Sequence, residues 1–280
     1  MSQGVFNILE AKPAMLKNRL LIGEIPYANL FPIFYMLKRE SDISGYEFIK
    51  GAPSDLNKKI REGRIDVSPS SSIEYLRHRD KYELIENHSI SSIGPVGSIL
   101  LFSNKPVEKL GRLTVLTSSQ SETSVALIRI VLNKFYELDC SFQSSSEKLK
   151  DAIGSSAAYL LIGDEALIEA IKWPGLYIYD IGELWYKHTG LPFTFALWIA
   201  NKDCRTEKSE LYRKFIDDLN RAKTSALNSM DTVAASCPLK DILSEEALIS
   251  YWKKMSYDFS DEHRKGLELF NAYAKELGLI

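Results

Sequence analysis

Two βα lobes joined by two crossover strands, with a ligand cleft between them, make up the α/β fold that this sequence predicts. Three observations carry the prediction. Residues 19–79 alternate short apolar runs with amphipathic stretches three times over, which is the pattern of parallel βαβ units. Residues 112–186 begin the alternation afresh with a different texture. Two long, continuous apolar runs, "GSILLFS" (97–103) and "FTFALWIANK" (193–202), stand between the sets, and from about residue 205 the pattern is helical to the end.

Each element follows from its residues. "RLLIGEI" (19–25) reads as a buried strand and "PIFYMLKRE" (32–40) as a helix opening on Pro32, which a first turn tolerates. "YEFIKG" (46–51) is a second strand. "PSDLNKKIREG" (53–63) is a helix with Leu56 and Ile60 one turn apart, stopped by Gly63. "RIDVS" (64–68) and "SSIEYLRHR" (71–79) are a third strand and helix. In the second set "RLTVLTSS" (112–119) is a strand and "SETSVALIRIVLNKFYEL" (121–138) a strongly apolar helix. "AAYLLIGDEALIEAI" (157–171) and "GLYIYDIGELWY" (175–186) are two more strand–helix units, and "QSSSEK" (143–148) reads as a loop. The expected division is 19–100 for the first part of lobe 1, 101–197 for lobe 2, and 198–280 for a return to lobe 1, mainly as helices.

Composition narrows the class. The 280 residues are 45% hydrophobic and 26% charged, with a formal net charge of −2, enough to bury one large core or two modest ones. No basic face accumulates, so nucleic acid is not an expected partner. Three separated cysteines, Cys140, Cys204 and Cys237, contain no CxxC pair; reduced thiols of a cytoplasmic protein are expected, not a disulfide framework or a zinc site. His78, His88, His188 and His263 lack metal-ligand spacing. No apolar stretch reaches membrane-spanning length, so no membrane association is expected. Residues 1–18 resemble no export signal and read as an N-terminal extension.

In a parallel α/β lobe, ligands gather at the carboxyl ends of strands, beside helix N-termini that favour anions. Four junctions fit. In "PYANLFP" (26–32), Asn29 stands just before a helix, where its amide can cap the helix, reach across the cleft, or do both. In "DVSPSSSIEYL" (66–76), Ser70, Ser71 and Ser72 offer three hydroxyls where one cap needs one; the surplus suits a carboxylate or hydroxyl ligand, or is a serine-rich turn. In "GPVGSILLFS", Gly97 lets a ligand approach the chain and Ser98 opens the apolar run, or the glycines serve only a turn. In "TSSQSETSV" (117–125), Ser119 and Glu122 match a capping box, which leaves Thr123 and Ser124 unexplained in the first helical turn. Asp164 in "LIGDEAL" caps a helix or contacts a polar ligand. No GxGxxG, GxxxxGK[ST] or GxSxG motif occurs. Physical reading alone arrives at a two-lobed binder of a small carboxylate.

Taken together, "IGEIPYANLFPIFY", "GRIDVSPSSSIEYLR", "SISSIGPVGSILLFS", "TSSQSETSVALIRIVL", "LLIGDEAL", "LWYKHTGLPFTFALW" and the closing "YWKKMSYDFSDEHRKGLELFNAYAKELG" resemble the chorismate dehydratase family of menaquinone biosynthesis by the futalosine route. The resemblance implies a type II periplasmic-binding-protein-like fold used by a cytoplasmic enzyme. It also implies conversion of chorismate to 3-[(1-carboxyvinyl)oxy]benzoate and water, with no cofactor or metal. Asn29 and Ser98 are the expected catalytic residues; Ser70, Ser71, Ser72, Gly97, Thr123, Ser124 and Asp164 are the expected substrate contacts. The chain departs from the family's usual Ser-Tyr-Leu-Asn-Thr at Pro26–Leu30 and has Ser70 where Ile is common.

Chorismate carries two carboxylates, matching two sets of helix-start donors. Loss of the C3 proton gives an extended enolate, and departure of the C4 hydroxyl then aromatises the ring. Fixed dipoles in a dry cleft stabilise that charge. With no evident protein base, and Glu74 past the first helical turn, the substrate's enolpyruvyl carboxylate is the expected base. The competing readings are a solute-binding protein for a small carboxylate, a regulator's sensing domain, and 1,4-dihydroxy-6-naphthoate synthase of the same pathway. A monomer and a homodimer fit the sequence equally.

Overall fold

The computed structural model describes residues 19–118, 121–173 and 175–280; the N-terminal extension and Ser119 lie outside them. In chain order the first elements are β1 (Leu20–Glu24), α1 (Phe31–Glu40), β2 (Tyr46–Lys50), α2 (Pro53–Arg61), β3 (Val67–Ser71), α3 (Ser72–Arg77) and β4 (Tyr82–Ser92). Next come β5 (Ile99–Ser103), β6 (Thr114–Ser118), α4 (Glu122–Ile130), β7 (Ser141–Ser145), α5 (Leu149–Ser155), β8 (Ala158–Ile162), α6 (Gly163–Ala170), β9 (Tyr177–Asp180) and α7 (Ile181–Thr189). The chain ends with β10 (Phe193–Asn201), α8 (Ser209–Asn228), α9 (Met230–Ser236), α10 (Glu245–Trp252), β11 (Met255–Ser256) and α11 (Asp261–Glu276).

These strands form two sheets, and each sheet defines a lobe. The first has the order β11-β4-β10-β3-β1-β2, the second β7-β6-β8-β5-β9. β1 pairs in parallel with β2 and β3, and β6 with β7 and β8. Each sheet also takes one antiparallel strand that reaches it from the other lobe: β10 between β3 and β4, β5 between β8 and β9. Both lie inside their sheets and are almost wholly buried, which explains their unbroken apolar sequence. The lobe-to-lobe passages are the short segments 93–98 and 190–192 just ahead of them.

Four local expectations shift. β3 begins at Val67, so Ser68, Ser70 and Ser71 are strand residues. β4 has no counterpart in the sequence reading. Its buried Ser89 and Ser91 are held by side-chain bonds to each other (2.6 Å), to the Asp258 carbonyl (2.5 Å) and to Thr194 (3.1 Å), so a polar run fills an interior position. Residues 143–145, read as loop, belong to β7, an exposed edge strand whose "SFQSS" carries no apolar alternation. The long apolar helix stops at Ile130 and continues as a π-helical turn, Val131–Phe135.

One hydrophobic cluster runs through both lobes; a smaller one, with Phe102, Leu116, Tyr159 and Leu161, covers the far face of the second sheet. The aromatic stretch before β10 is core: Trp185, Phe193 and Phe270 stack edge to face, with centroids 5.2 and 5.0 Å apart.

Candidate active site

A cavity of ≈ 70 Å³ lies between the lobes, with Asn29, Ser98, Ser121, Ser124, Gly163 and Phe195 among its walls. The other lining residues are Tyr27, Pro53, Met255 and aliphatic side chains, so every lining side chain is uncharged. A second cavity of ≈ 230 Å³ shares Ile25 and Tyr27 with it and adds Lys50 and Asp164.

Asn29 does not cap its helix. Leu30 occupies the N-cap of α1 and no side chain bonds there. The Asn29 Oδ1 is buried without a partner among the described residues, while its main-chain carbonyl accepts Tyr257 O–H at 2.8 Å. An unpaired buried amide oxygen costs about 1–3 kcal/mol, so Asn29 is held ready for a partner that the described residues do not supply. Ser98 Oγ accepts Tyr251 O–H at 2.9 Å, and its carbonyl accepts Gly163 N–H at 2.7 Å.

The serine run divides. Ser71 caps α3, its Oγ accepting Glu74 N–H (3.3 Å) and the Asn57 carboxamide (2.9 Å). Ser72 Oγ donates to the Thr194 carbonyl on β10 (2.5 Å). Neither lines the cavity. Ser70 Oγ is fully buried and has no partner among the described residues. The cap of α4 also differs from the expected box: Ser121 is the N-cap, accepting Ser124 N–H (3.2 Å) and donating to Ser124 Oγ (2.9 Å). Glu122 is the first helical residue and pairs with Arg77 instead. The positive end of α4 therefore faces the cavity through Ser121 and Ser124.

Thr123, Asp164 and Gly97 serve the contact between lobes. Thr123 Oγ1 accepts Ile73 N–H (3.1 Å), and Asp164 Oδ1 accepts Ala28 N–H (2.9 Å). Asp164 sits in the first turn of α6 and does not cap it. The Tyr27 ring lies on the Gly163 backbone: a Cβ at Gly163, whose φ is +63°, would stand 3.3 Å from two ring carbons. Gly97, with φ +79°, gives its N–H to Asp180 at 2.6 Å. The same carboxylate takes Val96 N–H (3.1 Å) and caps α7 through Glu183 N–H (3.1 Å), pinning the first passage between lobes to a helix of lobe 2.

Burial sets the charges around the cleft. It pushes the Tyr27 phenol up to about 12, with help from the Asp164 and Glu165 carboxylates. It also raises Asp164 against the Ala28 amide, and Asp180 against the amides of Gly97 and Val96. Glu74 is engaged elsewhere, with Tyr82 O–H at 2.6 Å and Arg61 at 3.2 Å. Among the described residues no group of His, Cys, Asp and Glu could hold a metal ion, and no helix is long and apolar enough to cross a membrane.

Sequence reasoning missed Asp180, Tyr251, Trp252 and Tyr257. Asp180 carries a legible signal, Glu183 three residues on at a helix start. The others bond partners 153, 224 and 228 residues away, and no local pattern reports that.

Comparison with known proteins finds relatives along most of the chain. Chorismate dehydratase of Thermus thermophilus is 27% identical over 277 residues, covering 92% of this chain and 95% of the relative. Chorismate dehydratase of Campylobacter jejuni is 30% identical over 208 residues, covering 73% and 75%. The 1,4-dihydroxy-6-naphthoate synthase of T. thermophilus is 23% identical over 270 residues, covering 93% and 95%. Among solved structures, protein AF1704 of Archaeoglobus fulgidus superposes with a TM-score of 0.79 at 17% identity, over 94% of this chain and 99% of that one. The periplasmic aliphatic sulphonate binding protein SsuA of Escherichia coli does so at 0.68 and 14%, over 94% and 88%. The fold is thus periplasmic-binding-protein-like, and since the family profile for menaquinone biosynthesis matches residues 20–276, the chain belongs to that family.

Proposed function

We propose that this protein is a chorismate dehydratase, a hydro-lyase converting chorismate to 3-[(1-carboxyvinyl)oxy]benzoate and water in the cytoplasm. The observation that carries the reading beside the relatives' names is the wall of the cavity: unpaired or half-paired neutral groups, Asn29 and Ser98 together with Ser121 and Ser124 at a helix start, with no carboxylic acid, histidine or lysine among the lining residues. A site so built binds and orients an anion, and leaves proton abstraction to the ligand.

The enolpyruvyl carboxylate takes the C3 proton. The electron pair left behind spreads through the ring diene onto the ring carboxylate. It returns to form the C3–C4 double bond as the C4–O bond breaks, and the departing hydroxide with the abstracted proton makes water. Asn29 and Ser98 position the reacting groups, Ser124 and the α4 N-terminus hold a carboxylate, and the apolar walls keep water out.

Incubation of the purified protein with chorismate, followed by chromatography, tests the activity: the benzoate product accumulates. Asn29→Ala and Ser98→Ala each lower kcat by about 10²-fold, the range for loss of one placed hydrogen-bonding group, with the fold intact by circular dichroism. No product from the wild-type chain sinks the reading; near-normal turnover in both variants removes their catalytic assignment.

A further inference from the structure

Three side chains from the segment 251–257 converge on the cleft. Trp252 Nε1–H donates to the Ala28 carbonyl at 2.8 Å and Tyr257 O–H to the Asn29 carbonyl at 2.8 Å. These two fix main chain. Tyr251 does something different: its O–H donates at 2.9 Å to Ser98 Oγ, a side-chain atom of the cavity wall.

A serine hydroxyl has one proton and two acceptor lone pairs. When a neighbour donates to the oxygen, one lone pair is occupied and the serine's own proton must find another acceptor. Tyr251 is the partner of Ser98 Oγ among the described residues, and Ser98 lines the cavity, which leaves a ligand there as an acceptor within reach. A hydroxyl free to rotate could donate to a nearby carbonyl and present a lone pair to the ligand, repelling an anion. The tyrosine removes that choice. Its ring is buried, and its phenol is held well above its usual value, chiefly by burial, so it keeps the proton that it gives to Ser98 Oγ.

We propose that Tyr251 is a positioning residue for Ser98, donating to Ser98 Oγ so that the serine proton points into the cavity, at the substrate oxygen on which negative charge grows. This deepens the dehydratase reading above and rests on it. Tyr251 does not touch substrate; it acts through Ser98. The effect belongs in kcat more than in KM, because the oriented proton matters most where charge develops.

The test compares wild type, Tyr251→Phe, Ser98→Ala and the double variant with chorismate as substrate, together with a crystal structure of Tyr251→Phe. Phe keeps the ring and its packing. The single variant is expected to lose about tenfold in kcat, while KM changes less than about threefold. The double variant is expected to be no slower than Ser98→Ala, since the tyrosine has nothing left to orient. In the crystal structure Ser98 Oγ turns to a new acceptor. Wild-type kcat in Tyr251→Phe, or the same loss when Ser98 is already Ala, overturns the proposal. Failure of the wild-type chain to turn over chorismate is a different result and overturns the dehydratase reading; the crystal structure then decides alone, and an unmoved Ser98 hydroxyl rules the positioning role out.

Discussion

Ser70 is a hydroxyl that the described residues leave alone. It sits on β3 opposite Leu197 of β10, fully buried and unpartnered among the described residues. Burying an unpaired hydroxyl costs about 1–3 kcal/mol, so Ser70→Ala should stabilise the protein and raise its melting temperature by about 2–4 °C for each kcal/mol regained in a chain of this size. A scanning calorimeter reads this directly; a lower melting temperature would mean that the hydroxyl has a partner in solution. Ser70, Ser71 and Ser72 also show what residue type does and does not say. The surplus of hydroxyls at a strand–helix junction was legible. Their division into a cap, a cross-strand bond and an orphan depends on Asn57, Thr194 and Leu197, which arrive from elsewhere in the chain.

Helix α11 shows how an element's position can invert a propensity rule. Alanine in place of a helical glycine ordinarily adds up to about 1 kcal/mol. At Gly266 a Cβ would overlap the Pro192 carbonyl oxygen, because α11 packs directly on the bend ahead of β10. Gly266→Ala should therefore destabilise the chain by about 1–3 kcal/mol through overpacking, seen as a lower midpoint in urea. An unchanged or higher midpoint would show that the bend can move aside. The sequence "HTGLPF" (188–193), with Gly190 and Pro192, marks a break before an apolar run; that a helix some 70 residues later needs it is not written there. β4 and β7 make the same point in reverse. Polar strands escape periodicity because their burial, or their edge position, is decided by neighbours.

Contacts between lobes bear on the protein's response to pH. Ala28 with Asp164, Ile73 with Thr123, and Arg77 with Glu122 hold the two rims together. Asp164 bonds at an energetic disadvantage. Burial lifts its carboxyl above the ordinary 3.8, so ionising it costs the folded state more than the unfolded one. That penalty is absent below pH 3.8, where the group is protonated in both states, and is complete above the raised folded value. Asp164→Asn keeps an oxygen to accept the Ala28 N–H and removes the ionisation. Its melting temperature should exceed that of wild type at neutral pH, with the difference shrinking to nothing as the pH falls through that window. A pH-independent difference would sink the argument.

The order of apolar runs, the helix-start hydroxyls and the family motifs together sufficed for two α/β lobes, a cleft and an anionic ligand, because strand and helix periods and capping chemistry act over a few residues. Asn29 and Ser98 were legible as candidates on the same ground. Which hydroxyls remain free, and which are consumed by a cap, by a strand or by the opposite lobe, was settled only when residues far apart in the chain met. Tyr251 on Ser98 and Asp164 on Ala28 are contacts of that kind: a hydrogen bond is local in space, and the chain alone does not say which distant groups will come within 3 Å.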